Sequence, residues 1–241
     1  MSHITTADVT AIVSHADTIR TYARNAVALH TDAIRTELEI FDAVKKNDPV
    51  AFARRCLLSA VLSNQAELRG NLRYAYALSH YLDAGVSPNL ETLRKQTRFN
   101  GMNSSVRYAL AAYDAIKRTD VTTWTPADFM TLTGVGPKIA RWAIAPFNPD
   151  ARCITLDRHM IAFMCDIAGI GKRSAFKVLT RKSGKHCPEY DALEQMFLSI
   201  ADDLNVSPFV LQWSVWNEWR HSGQHASHVE LVGIDPDEFN A

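Results

Sequence analysis

Two residues of this 241-residue chain have types and a spacing from which chemistry can be built. Lys138 closes the run Leu132-Thr-Gly-Val-Gly-Pro-Lys138, and Asp157 follows nineteen positions later in Leu156-Asp-Arg-His-Met160. A lysine amine freed of its proton is a nucleophile that forms Schiff bases with electrophilic carbons. A fixed carboxylate beside it stabilises developing positive charge or accepts a proton. For the amine to react near neutral pH its pKa must fall, and two influences lower it: burial, and the positive end of the helix that opens at Pro137. Asp157 pulls the other way by favouring the ammonium. Each residue alone also has a plainer reading, Lys138 as a solvated helix lysine and Asp157 as a helix N-cap.

The elements that must position them read as a helical hairpin. Two short helices meet at Gly134-Val135-Gly136, with Leu132, Val135, Ile139, Ala140 and Ile144 as apolar ticks. Glycine lets the backbone turn tightly and approach a ligand without a Cβ in the way. Unpaired N–H groups at the start of the second helix, aided by its dipole, can hold a phosphate oxygen. This is a helix-hairpin-helix, which grips a nucleic-acid backbone without reading sequence. An ordinary αα-corner is the alternative for Gly-x-Gly alone, and the flanking apolar ticks favour the hairpin. The second helix spans roughly 13 Å. A loop of about ten residues reaches up to roughly 33 Å and can bring Asp157 back beside Lys138.

Around the hairpin almost every segment has helical period, and the pattern predicts an all-α protein of roughly ten helices. Val9, Ile12, Val13, Ile19, Ala23, Ala26 and Val27 mark one apolar face, and Asp48-Pro49 opens the next helix. Further helices are expected over 71–83, from Asn103 or Ser104, from Thr125-Pro126, from Pro137 to the Pro146–Asp150 stretch, from Asp157 to Gly169, from Pro188, and from Pro208 through Trp213, Trp216 and Trp219. No alternating strand pattern or repeat is evident, and the end of the chain reads as a loose acidic tail.

Leu132 to Met160 resembles the signature of the helix-hairpin-helix (HhH-GPD) DNA glycosylases, and Asp157-Arg-His-Met-Ile-Ala-Phe-Met164 is most similar to the archaeal-type 8-oxoguanine DNA glycosylase/AP lyases. Arg98-Phe99-Asn100 ahead of Arg107, and the Trp213-to-Gly223 helix, also resemble that group. The resemblance covers roughly 50–225 and is specific over 130–165. It implies a two-lobed helical fold, one lobe over 50–160 with the hairpin at 126–145, the other from 1–49 plus 161–225, followed by an acidic tail, 226–241. It implies a base-excising enzyme in which Asp157 stabilises the oxocarbenium-like sugar and Lys138 attacks C1′ to form a Schiff base.

By the same resemblance Gly134, Val135, Gly136, Arg158, His159, Asn64, Gln65 and Arg98 contact DNA, the polar Ser63-Asn64-Gln65-Ala66 stretch filling the gap left by a flipped base. Surface roles without DNA are the alternative for Arg158, His159 and the Asn64–Gln65 pair. Trp142, one turn after Lys138, either stacks on the extruded base or packs in the core. The carbonyls of Met130, Leu132 and Val135 are where the family's hairpin holds a monovalent cation. No other cofactor is expected: the iron–sulfur branch needs a four-Cys loop, and the last cysteine here is Cys187. The partner expected is double-stranded DNA with a modified base, 8-oxoguanine first and a bulky phage-type base as the alternative. A non-catalytic DNA-binding hairpin protein and a phage-type base-modifying enzyme complete the alternatives.

Composition bounds these readings. The chain is 47% hydrophobic and 22% charged, with 26 Lys plus Arg against 26 Asp plus Glu. Neutrality argues against a wholesale electrostatic sponge, but charge is segregated along the chain. Residues 101–190 hold thirteen basic and seven acidic residues, a net +6, and the remainder is −6. No membrane-length apolar run, secretory signal or disulfide pattern is evident, so a monomeric, intracellular, nucleoid-associated cytoplasmic protein is expected. Gly169-Ile-Gly-Lys172 is no P-loop, because Asp166 stands where the first glycine belongs and Arg173 replaces Ser/Thr.

Overall fold

A capping box of Thr5 and Asp8 opens the first helix, α1 (Thr6–Val13), in a computed structural model that describes residues 2–63, 66–173, 175–177, 179–181 and 184–232. The helical register then breaks at Ser14–His15 and restarts in α2 (Ala16–Asn47), whose inner stripe is Ile19, Ala23, Ala26, His30, Ile34, Glu37 and Phe41. One expectation is corrected in α1. Val13 does not share the apolar face of Ile12; it is 44% exposed.

Asp48 caps α3 (Pro49–Leu62) by accepting the Ala51 N–H, and Pro49 fits the first turn, where a missing N–H costs nothing. α3 is the central helix, buried from Cys56 through Leu62. Against it pack α4 (Leu68–Asp83), α6 (Asn103–Ile116) and α8 (Pro137–Ile144), while α5 (Leu90–Thr97) leans on α4 and α7 (Pro126–Met130) on α8. On the other side of the core α2 runs along α11 (Pro208–His221), with α9 (Arg158–Ile167) and α10 (Pro188–Leu204) beside them. One continuous apolar core joins the two groups. At its centre the Trp213 and Trp216 rings stack at 4.6 Å.

The structure is helical as expected, with three local differences. The described residues contain eleven α-helices and also a short antiparallel ladder, β1 (Leu179–Arg181) with β2 (Gly184–His186), pairing Thr180 with Lys185. Three-residue strands carry too little alternation to be visible in sequence. The α6 N-cap is Met102, not Asn103 or Ser104, and it makes no side-chain cap. The supposed tail is packed over its first part: Leu231 is fully buried, His228 is 2% exposed, and a 3-10 turn spans Val229–Leu231 against α4 and α2. No helix among the described residues is long and apolar enough to cross a membrane.

Candidate active site

The hairpin is built from α7, a tight turn and α8. Thr125 and Asp128 form a reciprocal capping box at the start of α7, and Phe129 and Val135, both fully buried, pin the two arms to the core. Gly134 turns the chain at φ +79, where a Cβ would also lie 2.9 Å from the Tyr108 ring. Gly136 is extended and N-caps α8, and a Cβ there would meet nothing within 4 Å. With no side chain at this cap, the first N–H groups of α8 remain open to an outside acceptor.

Lys138 sits in the first turn of α8. Its Nζ donates to Ser63 Oγ at 2.9 Å and lies 5.0 Å from the centroid of the Trp142 ring. Ser63 is the C-cap of α3, so packing of α8 on α3 decides where the amine goes. Burial pulls the Lys138 ammonium below its ordinary range, Asp157 opposes that pull, and Arg158 adds to it. Burial as the lowering influence and Asp157 as the opposing one match the expectation from the sequence; the other lowering influence is Arg158, where the sequence pointed to the helix end.

Asp157 is 9% exposed and caps α9. One carboxylate oxygen accepts the N–H groups of His159 and Met160, each at 2.9 Å, and the other accepts the Trp216 indole N–H at 3.4 Å. It is therefore an N-cap and a member of the Lys138 site at once.

Both residues line a cleft of about 1320 Å³. Gly134 and Gly136 lie along it with Trp142, Arg158, His159 and Trp216, and Arg69, Asn71, Arg220, Ser227 and Glu230 also line it. Glu230 accepts from Arg69 at 2.7 Å. His159 packs edge-on against Trp216, and burial lowers its pKa against the pull of Asp157. Arg158 is exposed at the rim, its Nε 3.2 Å from His159 Nε2.

Most residues singled out from the sequence therefore meet. Lys138, Asp157, Gly134, Gly136, Trp142, Arg158 and His159 share one cleft, with Val135 buried behind the turn. Trp142 is 8% exposed and packed edge-on to Trp213, so its core role and its place in the cleft coexist. Arg98 lies elsewhere: exposed, with φ +56, it lines a smaller cleft of about 400 Å³ with Arg73 and Thr97, joined to the first through Glu67 and Arg69. Asn64 and Gln65 lie outside the described residues. In the hairpin the Leu132 carbonyl accepts the Val135 N–H at 3.2 Å, while Met130 ends α7.

Sequence reasoning missed Ser63 as the amine's partner, Trp216 as a ligand of Asp157, and Ala226, Ser227, Val229 and Glu230 as cleft lining. The last had a signal, since Val229, Leu231 and Val232 are apolar residues inside a stretch read as tail. Among the described residues no group of three or more His, Cys, Asp or Glu side chains is placed to hold a metal ion, and the four cysteines are buried and unbridged. No family model matches this chain, and no curated protein matches it.

Proposed function

We propose that the chain is a DNA N-glycosylase with abasic-site lyase activity, built on a two-lobed helix-hairpin-helix fold. The observation that carries the reading is the meeting of a desolvated Lys138 and a buried Asp157 in one cleft whose edge is the glycine turn. In this reading the hairpin holds a backbone phosphate on the open N–H groups of α8, and the flipped nucleoside enters the cleft.

The C1′–N bond of the nucleoside lengthens, with Asp157 stabilising the positive charge on the sugar. The departing base takes the bonding electron pair and a proton from water. Neutral Lys138 gives its lone pair to C1′, and opening of the sugar ring leaves a protonated Schiff base. Loss of a C2′ proton then expels the 3′-phosphate, breaking the C3′–O bond, and water hydrolyses the Schiff base to regenerate the amine. Nothing in this sequence needs a metal or organic cofactor. The monovalent cation at the Met130, Leu132 and Val135 carbonyls rests on resemblance alone.

The substrate favoured by resemblance is 8-oxoguanine in double-stranded DNA. The second reading is a bulky modified base, for which a cleft of about 1320 Å³ has room. Duplexes carrying 8-oxoguanine, glucosylated hydroxymethylcytosine or an abasic site, each incubated with protein and borohydride, test the proposal. A covalent adduct that vanishes in Lys138→Gln supports it, and the base that is released chooses the substrate. Binding to every duplex with neither release nor adduct would leave a non-catalytic DNA-binding protein.

A further inference from the structure

The segment that delivers Asp157 has an unusual support. Residues 154–156 are buried, yet they belong to no helix or sheet. Buried N–H groups must find acceptors, and here three consecutive ones find side chains. The Ile154 N–H donates to Glu194 Oε1 at 2.8 Å, the Thr155 N–H to Gln212 Oε1 at 2.6 Å, and the Leu156 N–H to the Tyr190 hydroxyl at 2.9 Å. Tyr190 in turn donates its hydroxyl proton to the Ile154 carbonyl at 2.8 Å.

Glu194 has a second task. It receives Arg141 in a two-pronged pair, Nε to Oε1 at 2.7 Å and Nη2 to Oε2 at 2.6 Å, and both side chains are buried. Arg141 stands one helical turn after Lys138, and its guanidinium lies 4.6 Å from the Tyr190 ring centroid. A third arginine contact, to the Pro137 carbonyl at 3.4 Å, returns to the first residue of α8. One buried carboxylate thus holds both the helix that carries Lys138 and the segment that ends in Asp157.

Burying an ion pair gains little stability over apolar residues of the same volume, because desolvation offsets the attraction. What it does supply is fixed direction: a planar fork on a carboxylate admits one geometry. We propose that Arg141, Glu194 and Tyr190 are positioning residues that set the separation and orientation of Lys138 and Asp157. This rests on the reading of those two as the reacting pair.

The test uses an abasic duplex as probe. Single-turnover borohydride trapping at saturating protein gives a rate, and binding of a duplex with a non-reactive tetrahydrofuran abasic analogue gives an affinity. Tyr190→Phe removes one hydroxyl and keeps the ring. A misplacement of about 1 Å costs about a hundredfold in rate. The expected result is a trapping rate lowered ten- to a hundredfold with affinity within twofold of the unsubstituted protein, and the same split in Glu194→Gln. Arg152→Ala, which breaks the exposed pair with Asp202, changes neither quantity. Should Glu194→Gln fail to fold, Tyr190→Phe decides alone.

A trapping rate unchanged in Tyr190→Phe overturns the proposal, as does a fall in rate matched by an equal fall in affinity or in folded fraction. If the unsubstituted protein forms no adduct, the assignment of the site has failed rather than the network. Amide exchange at residues 154–156 then decides: faster exchange in Tyr190→Phe upholds the positioning role, and unchanged exchange removes it.

Discussion

Replacing Glu37 by glutamine removes the carboxylate that fastens one wall of the cleft. Glu37 is 1% exposed on the inner face of α2. One of its oxygens accepts the His228 backbone N–H and lies 3.3 Å from His228 Nδ1; the other lies 3.3 Å from His225 Nε2. Burial by itself raises the carboxyl pKa, but the bonds from His225 and His228 outweigh it and hold the group at about 2, against an ordinary 4.5. At about 1.36 kcal/mol for each pH unit of displacement, that corresponds to about 3 kcal/mol of stability. The sign follows from a folded-state value below the unfolded one. The contribution is fully present above about pH 5 and declines as pH falls toward 2, with about 2 kcal/mol of it lost by pH 3.

Urea unfolding of the unsubstituted protein and Glu37→Gln at pH 7 therefore shows a difference of about 3 kcal/mol. The same pair compared at progressively lower pH converges. Because Ala226, Ser227, Val229 and Glu230 line the cleft, the variant also exposes that segment to limited proteolysis. Equal unfolding midpoints at pH 7, or a difference that grows on acidification, would refute the assignment of Glu37 as an ionised clasp.

Other perturbations act on the hairpin and on Lys138 and Asp157, the pair proposed to react. Gly134→Ala forces a Cβ into a positive-φ position against Tyr108, at a cost of about 1–2 kcal/mol, read as a lower melting temperature together with weaker DNA binding. Asp157→Asn keeps an N-cap side chain and so melts close to the unsubstituted protein, while base release falls by more than about a hundredfold. In the same variant the pH at which Lys138 becomes reactive moves down, because the carboxylate that holds its ammonium is gone; the pH profile of borohydride trapping measures this. Arg158→Ala and Arg220→Ala, both on exposed cleft residues, each flatten the dependence of log affinity on log salt by about 0.9 if each meets one phosphate.

The parts of this structure that could be read in the sequence are those set by local rules. Asp48-Pro49, Thr125-Pro126, Asp157 and Ser207-Pro208 mark helix starts because capping and proline geometry act over three or four residues. Lys138 and Asp157 could be paired because a turn motif and a helix cap announced each of them. What remained hidden depends on side chains from distant positions. Ser63 reaches Lys138 across 75 residues, Glu194 reaches Arg141 across 53, and Trp216 reaches Asp157 across 59. Val13 shares α1 with Ile12, but neighbouring residues of a helix point about 100° apart, and with Asp8 and Ile12 turned inward Val13 faces out. The charge segregation along the chain also has a spatial limit. The cleft draws Arg69 and Arg220 from outside the basic 101–190 segment, and Glu230 pairs with the first of them.

The central claim is that Lys138 is the nucleophile. Its most direct test is to trap the protein on an abasic duplex with borohydride, digest both polymers, and locate the adduct by mass spectrometry. A reduced deoxyribose fragment is expected on the peptide containing Lys138, and none in protein carrying Lys138→Gln. An adduct on another lysine, or one that persists undiminished in Lys138→Gln, would contradict it.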